Sequence, residues 1–125
     1  ISKNKHGIFI EIKPLFSKPL LKKLIVETSK FTKCVFISFK HRNIYNLLKI
    51  KSNIKVGLSF SPSTSVKTII KKSNNKKIDC LILDKFFLKN KSIQDLEIKK
   101  YYYTIKTKSE FNKYSKNNNL IFENL

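Results

Sequence analysis

Short apolar runs alternate along the chain with longer stretches in which apolar residues recur every three or four positions. Ile8 to Ile12 (IFIEI) reads as a strand interrupted by one charge, Glu11. From Pro19 to Phe31, Leu20, Leu21, Leu24, Ile25 and Phe31 fall at helical spacing with lysines between them, and Pro19 suits a first helical turn. Cys34 to Phe39 (CVFISF) is apolar on both faces and predicts a second strand. Asn43 to Lys51, with Ile44, Leu47, Leu48 and Lys51 in step, predicts a second helix. The pattern then repeats. Lys55 to Phe60 is a strand, and Ser65 to Ser73 a short helix capped by Ser63 or Thr64. Ile78 to Leu83 is a strand, Ser92 to Lys99 a short helix, and Tyr101 to Ile105 a strand. A helix capped by Ser109 and running to about Ser115 follows, and Leu120 to Phe122 closes the series as a short strand.

Strands that alternate with helices are joined by crossovers, so their sheet is parallel. Strands apolar throughout suit a sheet covered on both faces. Two architectures satisfy the pattern: an open doubly wound sheet, and part of a (β/α)8 barrel, which needs roughly 250 residues when complete. At 125 residues the chain is one ordinary domain and not two. No Gly-rich phosphate fingerprint follows the first strand, which removes the usual support for a dinucleotide-binding sheet. With only two glycines and three prolines, the turns rely on Asn, Ser and Lys, as in Asn117-Asn118-Asn119. The chain begins at Ile1 rather than Met, which is read as a processing point or a truncation. No run of apolar residues is long enough to span a bilayer, and nothing has the form of a secretory leader.

The net charge of +19 changes the picture less than its size suggests. It fits a lysine-rich binding module for nucleic acid or an anionic membrane. Yet Arg42 is the only arginine among 27 basic residues, whereas base readout and bidentate phosphate contacts favour arginine. The lysines are spread along the whole chain and come with many Asn and Ile, which points to compositional bias. No specific nucleic-acid partner is therefore expected. Cys34 and Cys80 both lie in apolar runs, without metal-ligand spacing, and behave as small hydrophobes. They fit a reducing, cytoplasmic setting.

The segment richest in chemistry is Phe9-Ile10-Glu11-Ile12-Lys13-Pro14. Glu11 and Lys13 are two residues apart on a strand, so their side chains share a face. They lie at the strand's C-terminal end, where barrels assemble their sites. A carboxylate buried there requires a cation. The alternative is an ordinary exposed Glu–Lys pair at a strand end.

IFIEIKP followed by a helix resembles the Glu-Ile-Lys strand of the glycerophosphodiester phosphodiesterase family. VFISFKHRNIYNLLKIKSNIKVGLSF is similar to that family's Ser-Phe strand, its following helix and the next strand ending in Gly-Leu. YYYTIKTKSEF resembles its Trp-Thr-Val-Asn strand, and NNNLIFENL its closing strand. The order and spacing match over nearly the whole chain. The resemblance implies an α/β fold: a partial TIM (β/α)8 barrel of the PLC-like phosphodiesterase type, covering about strands 3 to 8. It implies metal-dependent hydrolysis of a glycerophosphodiester to glycerol 3-phosphate and an alcohol. Glu11 becomes a ligand of a divalent cation, Mg2+ or Ca2+, and Lys13 the catalytic cation at the phosphodiester. Tyr103, in the place of the family's tryptophan, lines the glycerol or headgroup pocket. Ser38, the Ser-Phe serine, stands near the barrel mouth, where it either contacts substrate or is satisfied by backbone.

The departures are as informative. The family's His-Arg-Gly strand and its Glu-x-Asp strand are absent. His6-Gly7 is not that motif, and His41 carries no catalytic role. Lys40 stands where an aspartate is usual after the Ser-Phe strand, and Glu123-Asn124 replaces a terminal Thr-Asp. A six-strand piece of an eight-strand barrel leaves open edges and an uncovered core. The chain is therefore expected to be inactive alone and to need a missing N-terminal barrel part or an oligomer partner.

Overall fold

The computed structural model describes residues 8–31 and 33–122. Strand and helix alternate as the pattern predicts: β1 (Ile8–Glu11), α1 (Lys18–Thr28), β2 (Cys34–Ser38), α2 (His41–Ile50), β3 (Val56–Phe60), α3 (Val66–Ser73), β4 (Cys80–Asp84), α4 (Lys91–Gln94), β5 (Lys99–Ile105), α5 (Lys108–Tyr114) and β6 (Asn119–Phe122). A 3-10 turn, Lys85–Lys89, stands between β4 and α4. The chain divides into two compact units, Ile1–Ser59 and Phe60–Leu125.

In the first unit the strands run parallel in the order β1-β2-β3. The register sets Phe9 beside Val35 and Glu11 beside Ile37, and on the opposite face Ile10 beside Phe36. Side chains alternate across a strand, so this register decides which residues meet the helices. In β1 it leaves Ile8 and Ile10 half-buried, with Phe9 and Glu11 exposed. The core gathers Phe36, Val56 and Leu58 with Leu21 of α1 and Ile44, Leu47 and Leu48 of α2. Each such side chain, taken fully out of water, contributes about 1.5–3 kcal/mol. The Ser17 hydroxyl caps α1 by accepting from the Leu20 N–H, and Pro19 occupies its first turn.

In the second unit β4, β5 and β6 are parallel and again adjacent in chain order. Cys80 to Leu83 of β4 are buried in succession, as the unbroken apolar run anticipated. Ile69 of α3, Phe87 and Leu88 of the 3-10 turn, Ile93 of α4, and Tyr102 and Ile105 of β5 complete this core. The β5–β6 register is irregular between Tyr102 and Ile105. Short polar side chains set the helix starts. Ser65 accepts from the Thr68 N–H, Asn90 from the Ile93 N–H and Thr107 from the Glu110 N–H.

The chain is thus an α/β protein of parallel strands linked by crossover helices, compatible with a piece of a barrel. Among the described residues no helix is long and apolar enough to cross a membrane. His6-Gly7 and Glu123-Asn124 lie outside the described residues.

Candidate functional site

The site begins where β1 ends. Ile12 continues the parallel pairing through its N–H, which donates to the Ile37 carbonyl at 2.9 Å, and its side chain is buried. Glu11 and Lys13, on either side of it, are both exposed. Period-two geometry therefore places a carboxylate and an ammonium on one solvent-facing side of the strand end. Pro14 favours the same arrangement, since its ring disfavours the helical region for the residue before it. Because Glu11 is solvated, the burial cost that would have demanded a cation does not arise.

Ser38, at the end of β2, is fully buried. Its hydroxyl donates to the Ile12 carbonyl at 2.5 Å and accepts from the Lys40 N–H at 3.0 Å and from the Asn43 side-chain amide at 3.3 Å. A hydroxyl has one proton and two lone pairs, so its capacity is taken up by the protein. His41 lies in the first turn of α2 with Nε2 2.8 Å from the Ser59 carbonyl.

Asn43 was not singled out by the sequence reading. It is fully buried, although it lies in an amphipathic helix. Its Oδ1 accepts from the Phe16 N–H at 2.9 Å, and its Nδ2 donates to the Pro14 carbonyl at 2.8 Å. The signal was present: Asn43 precedes Leu47 by one helical step of four, which puts it on the apolar stripe. A buried amide must find partners, and here they lie in the β1–α1 loop.

Tyr103 belongs to the second unit. It is half-buried, and its hydroxyl donates to the Phe60 carbonyl at 2.9 Å. In the same unit Lys85 forms an ion pair with Glu110 at 2.9 Å. The hydrogen bond from Lys85, followed by that from the Lys106 N–H, holds the Glu110 carboxyl below the usual carboxylate range. Burial lowers the Lys100 ammonium, whose Nζ donates to the Leu96 and Ile98 carbonyls. Both thiols are free. Burial pushes Cys34 up, and burial with the Asp79 charge pushes Cys80 to about 12. Neither has the character of a nucleophile at neutral pH.

Among the described residues no group of three or more His, Cys, Asp and Glu side chains is gathered to hold a metal ion. Mg2+ and Ca2+ take about six oxygen ligands. Glu11 can offer one carboxylate, and the described residues do not complete a site around it.

No protein-family model matches the chain, and a search of curated proteins finds none that matches it.

Proposed function

We propose that the chain is the C-terminal part, about half, of a cytoplasmic glycerophosphodiester phosphodiesterase, contributing about strands 3 to 8 of a PLC-like (β/α)8 barrel. The observation that carries this reading is that Glu11 and Lys13 share one side of the chain at the C-terminal end of β1. Strand C-terminal ends are where barrel enzymes place their chemistry. The reaction adds water across the phosphodiester, cleaving one P–O bond and leaving glycerol 3-phosphate and an alcohol. Lys13 is the residue of this chain suited to the phosphate, because an ammonium offsets charge gathering on the phosphoryl oxygens. Glu11 would supply one oxygen to a divalent cation. No step is assigned to that ion, because the residues present do not form its site.

The test is an assay of the gene's complete product. Glycerophosphocholine is incubated with Mg2+ or Ca2+, and glycerol 3-phosphate is measured. Lys13→Ala and Glu11→Gln should each lower kcat/KM by about 100-fold or more. Unchanged turnover in either variant would refute the assignment. So would a complete product that lacks the His-Arg-Gly and Glu-x-Asp strands and hydrolyses nothing. Steeply salt-dependent binding to nucleic acid by such a product would favour the lysine-rich binding module instead.

A further inference from the structure

We infer that Asn43 and Ser38 are positioning residues that fix the β1–α1 loop and thereby set where Lys13 stands. The role given to Lys13 rests on the function proposed above; the ordering of the loop does not.

The loop is tied at three alternating points. The Ile12 carbonyl accepts from the Ser38 hydroxyl, the Pro14 carbonyl accepts from Asn43 Nδ2, and the Phe16 N–H donates to Asn43 Oδ1. Ser38 and Asn43 are bonded to each other at 3.3 Å, so the three ties form one network. Both side chains are fully buried and come from parts of the chain 26 to 29 residues distant in sequence. Lys13 sits between two tied carbonyls and before a proline, whose ring disfavours a helical conformation for it. The backbone under the ammonium is thus held on both sides. A lysine stem is flexible, so a fixed Cα is what confines the charge to one neighbourhood beside Glu11.

The choice of asparagine follows from the two ties. One needs an acceptor and the other a donor, and a primary amide offers both from one planar group. An aspartate of the same shape turns the donor into a second acceptor facing the Pro14 carbonyl. Protonating that carboxyl restores a donor. Asn43→Asp therefore loses the Pro14 tie at neutral pH and keeps the acceptor for the Phe16 N–H, whereas Asn43→Leu, close in shape, loses both.

The experiment uses the full-length protein in three forms: wild type, Asn43→Leu, and Ile69→Ala, a core deletion in the second unit. Three quantities are read: thermal stability, amide-exchange protection at Phe16, and affinity for glycerol 3-phosphate. Asn43→Leu should lose Phe16 protection, with affinity for glycerol 3-phosphate falling roughly tenfold. Ile69→Ala should lose stability while keeping both Phe16 protection and affinity. If Asn43→Leu loses stability but keeps wild-type Phe16 protection, the positioning role is overturned. Lys13→Ala separates the two claims. If it leaves affinity unchanged, the phosphate reading fails, while Phe16 protection still decides whether Asn43 orders the loop.

Discussion

Replacing Ser38 with alanine distinguishes the two roles a serine at this strand end can have. The hydroxyl holds three partners: the Ile12 carbonyl, the Lys40 N–H and the Asn43 amide. Ser38 is fully buried, so the alanine variant removes all three bonds and leaves the Ile12 carbonyl without the hydroxyl that donates to it. Each such bond contributes about 0.5–1.5 kcal/mol net, and a buried group left unpaired costs more. The sum is a loss of about 2–4 kcal/mol. At about 4 °C per kcal/mol for a domain of this size, Tm should fall by roughly 8–16 °C. Ser63→Ala, on an exposed hydroxyl, should stay within about 0.5 kcal/mol. Calorimetry or a circular-dichroism melt of the three proteins measures both. A substrate-contacting serine at an open mouth behaves in the opposite way, with stability intact and affinity lost. If Ser38→Ala melts with the wild type, the hydrogen-bond accounting is wrong.

Other side chains yield independent checks. The Tyr102 hydroxyl is buried and, among the described residues, has no hydrogen-bond partner; burial pushes its pKa to about 12. Tyr102→Phe should therefore leave Tm unchanged or raise it, and a loss above about 1 kcal/mol would reveal a partner for that hydroxyl. Glu110 has its pKa lowered by Lys85, so the stability it contributes is present above the ordinary glutamate range. That contribution is lost as pH falls through the lowered value. The Tm gap between wild type and Glu110→Gln should therefore be widest near neutrality and close as the pH falls through the ordinary glutamate range and below it. A gap that does not change with pH would remove the ion pair from the account. Leu47→Ala, deleting a fully buried side chain of α2, should cost about 2–5 kcal/mol. A denaturant midpoint close to the wild-type value would show that α2 does not pack as described.

The alternation of elements was legible because hydrophobic period is a direct consequence of burial. β4 buries four successive residues and reads as an unbroken apolar run. β1 exposes every second residue and reads as a run broken by Glu11. The ends of elements were less legible, because local side-chain bonds decide them. Helix α1 was expected to reach Phe31 and stops at Thr28. The Thr28 hydroxyl donates to the Leu24 and Ile25 carbonyls and that of Ser29 to the Val26 carbonyl, competing with continuation of the helix. The caps of α3 and α5 fall on Ser65 and Thr107 rather than on Ser63, Thr64 or Ser109. The expected helix Ser92 to Lys99 is one turn, Lys91–Gln94, because β5 already begins at Lys99. The 3-10 turn at Lys85–Lys89 has no helical period to announce it, although Asp84 caps it by accepting from the Phe86 N–H.

At the site, Glu11 and Lys13 were readable because strand geometry alone puts them on one face. Their exposure was not readable, since it depends on what covers the sheet. Asn43 was missed for a different reason. Its partners are far away in sequence, and only the fold brings the Pro14 carbonyl and the Phe16 N–H to it.

Glycerol 3-phosphate is added to the full-length protein with isotope-labelled lysine side chains, and each ammonium is followed by NMR at moderate salt. Lys13 should show a saturable shift, with Lys22 and Lys23 on the exposed side of α1 unmoved. If all the lysines shift together in proportion to the added anion, the attraction belongs to the +19 charge as a whole and not to a phosphate site at the end of β1.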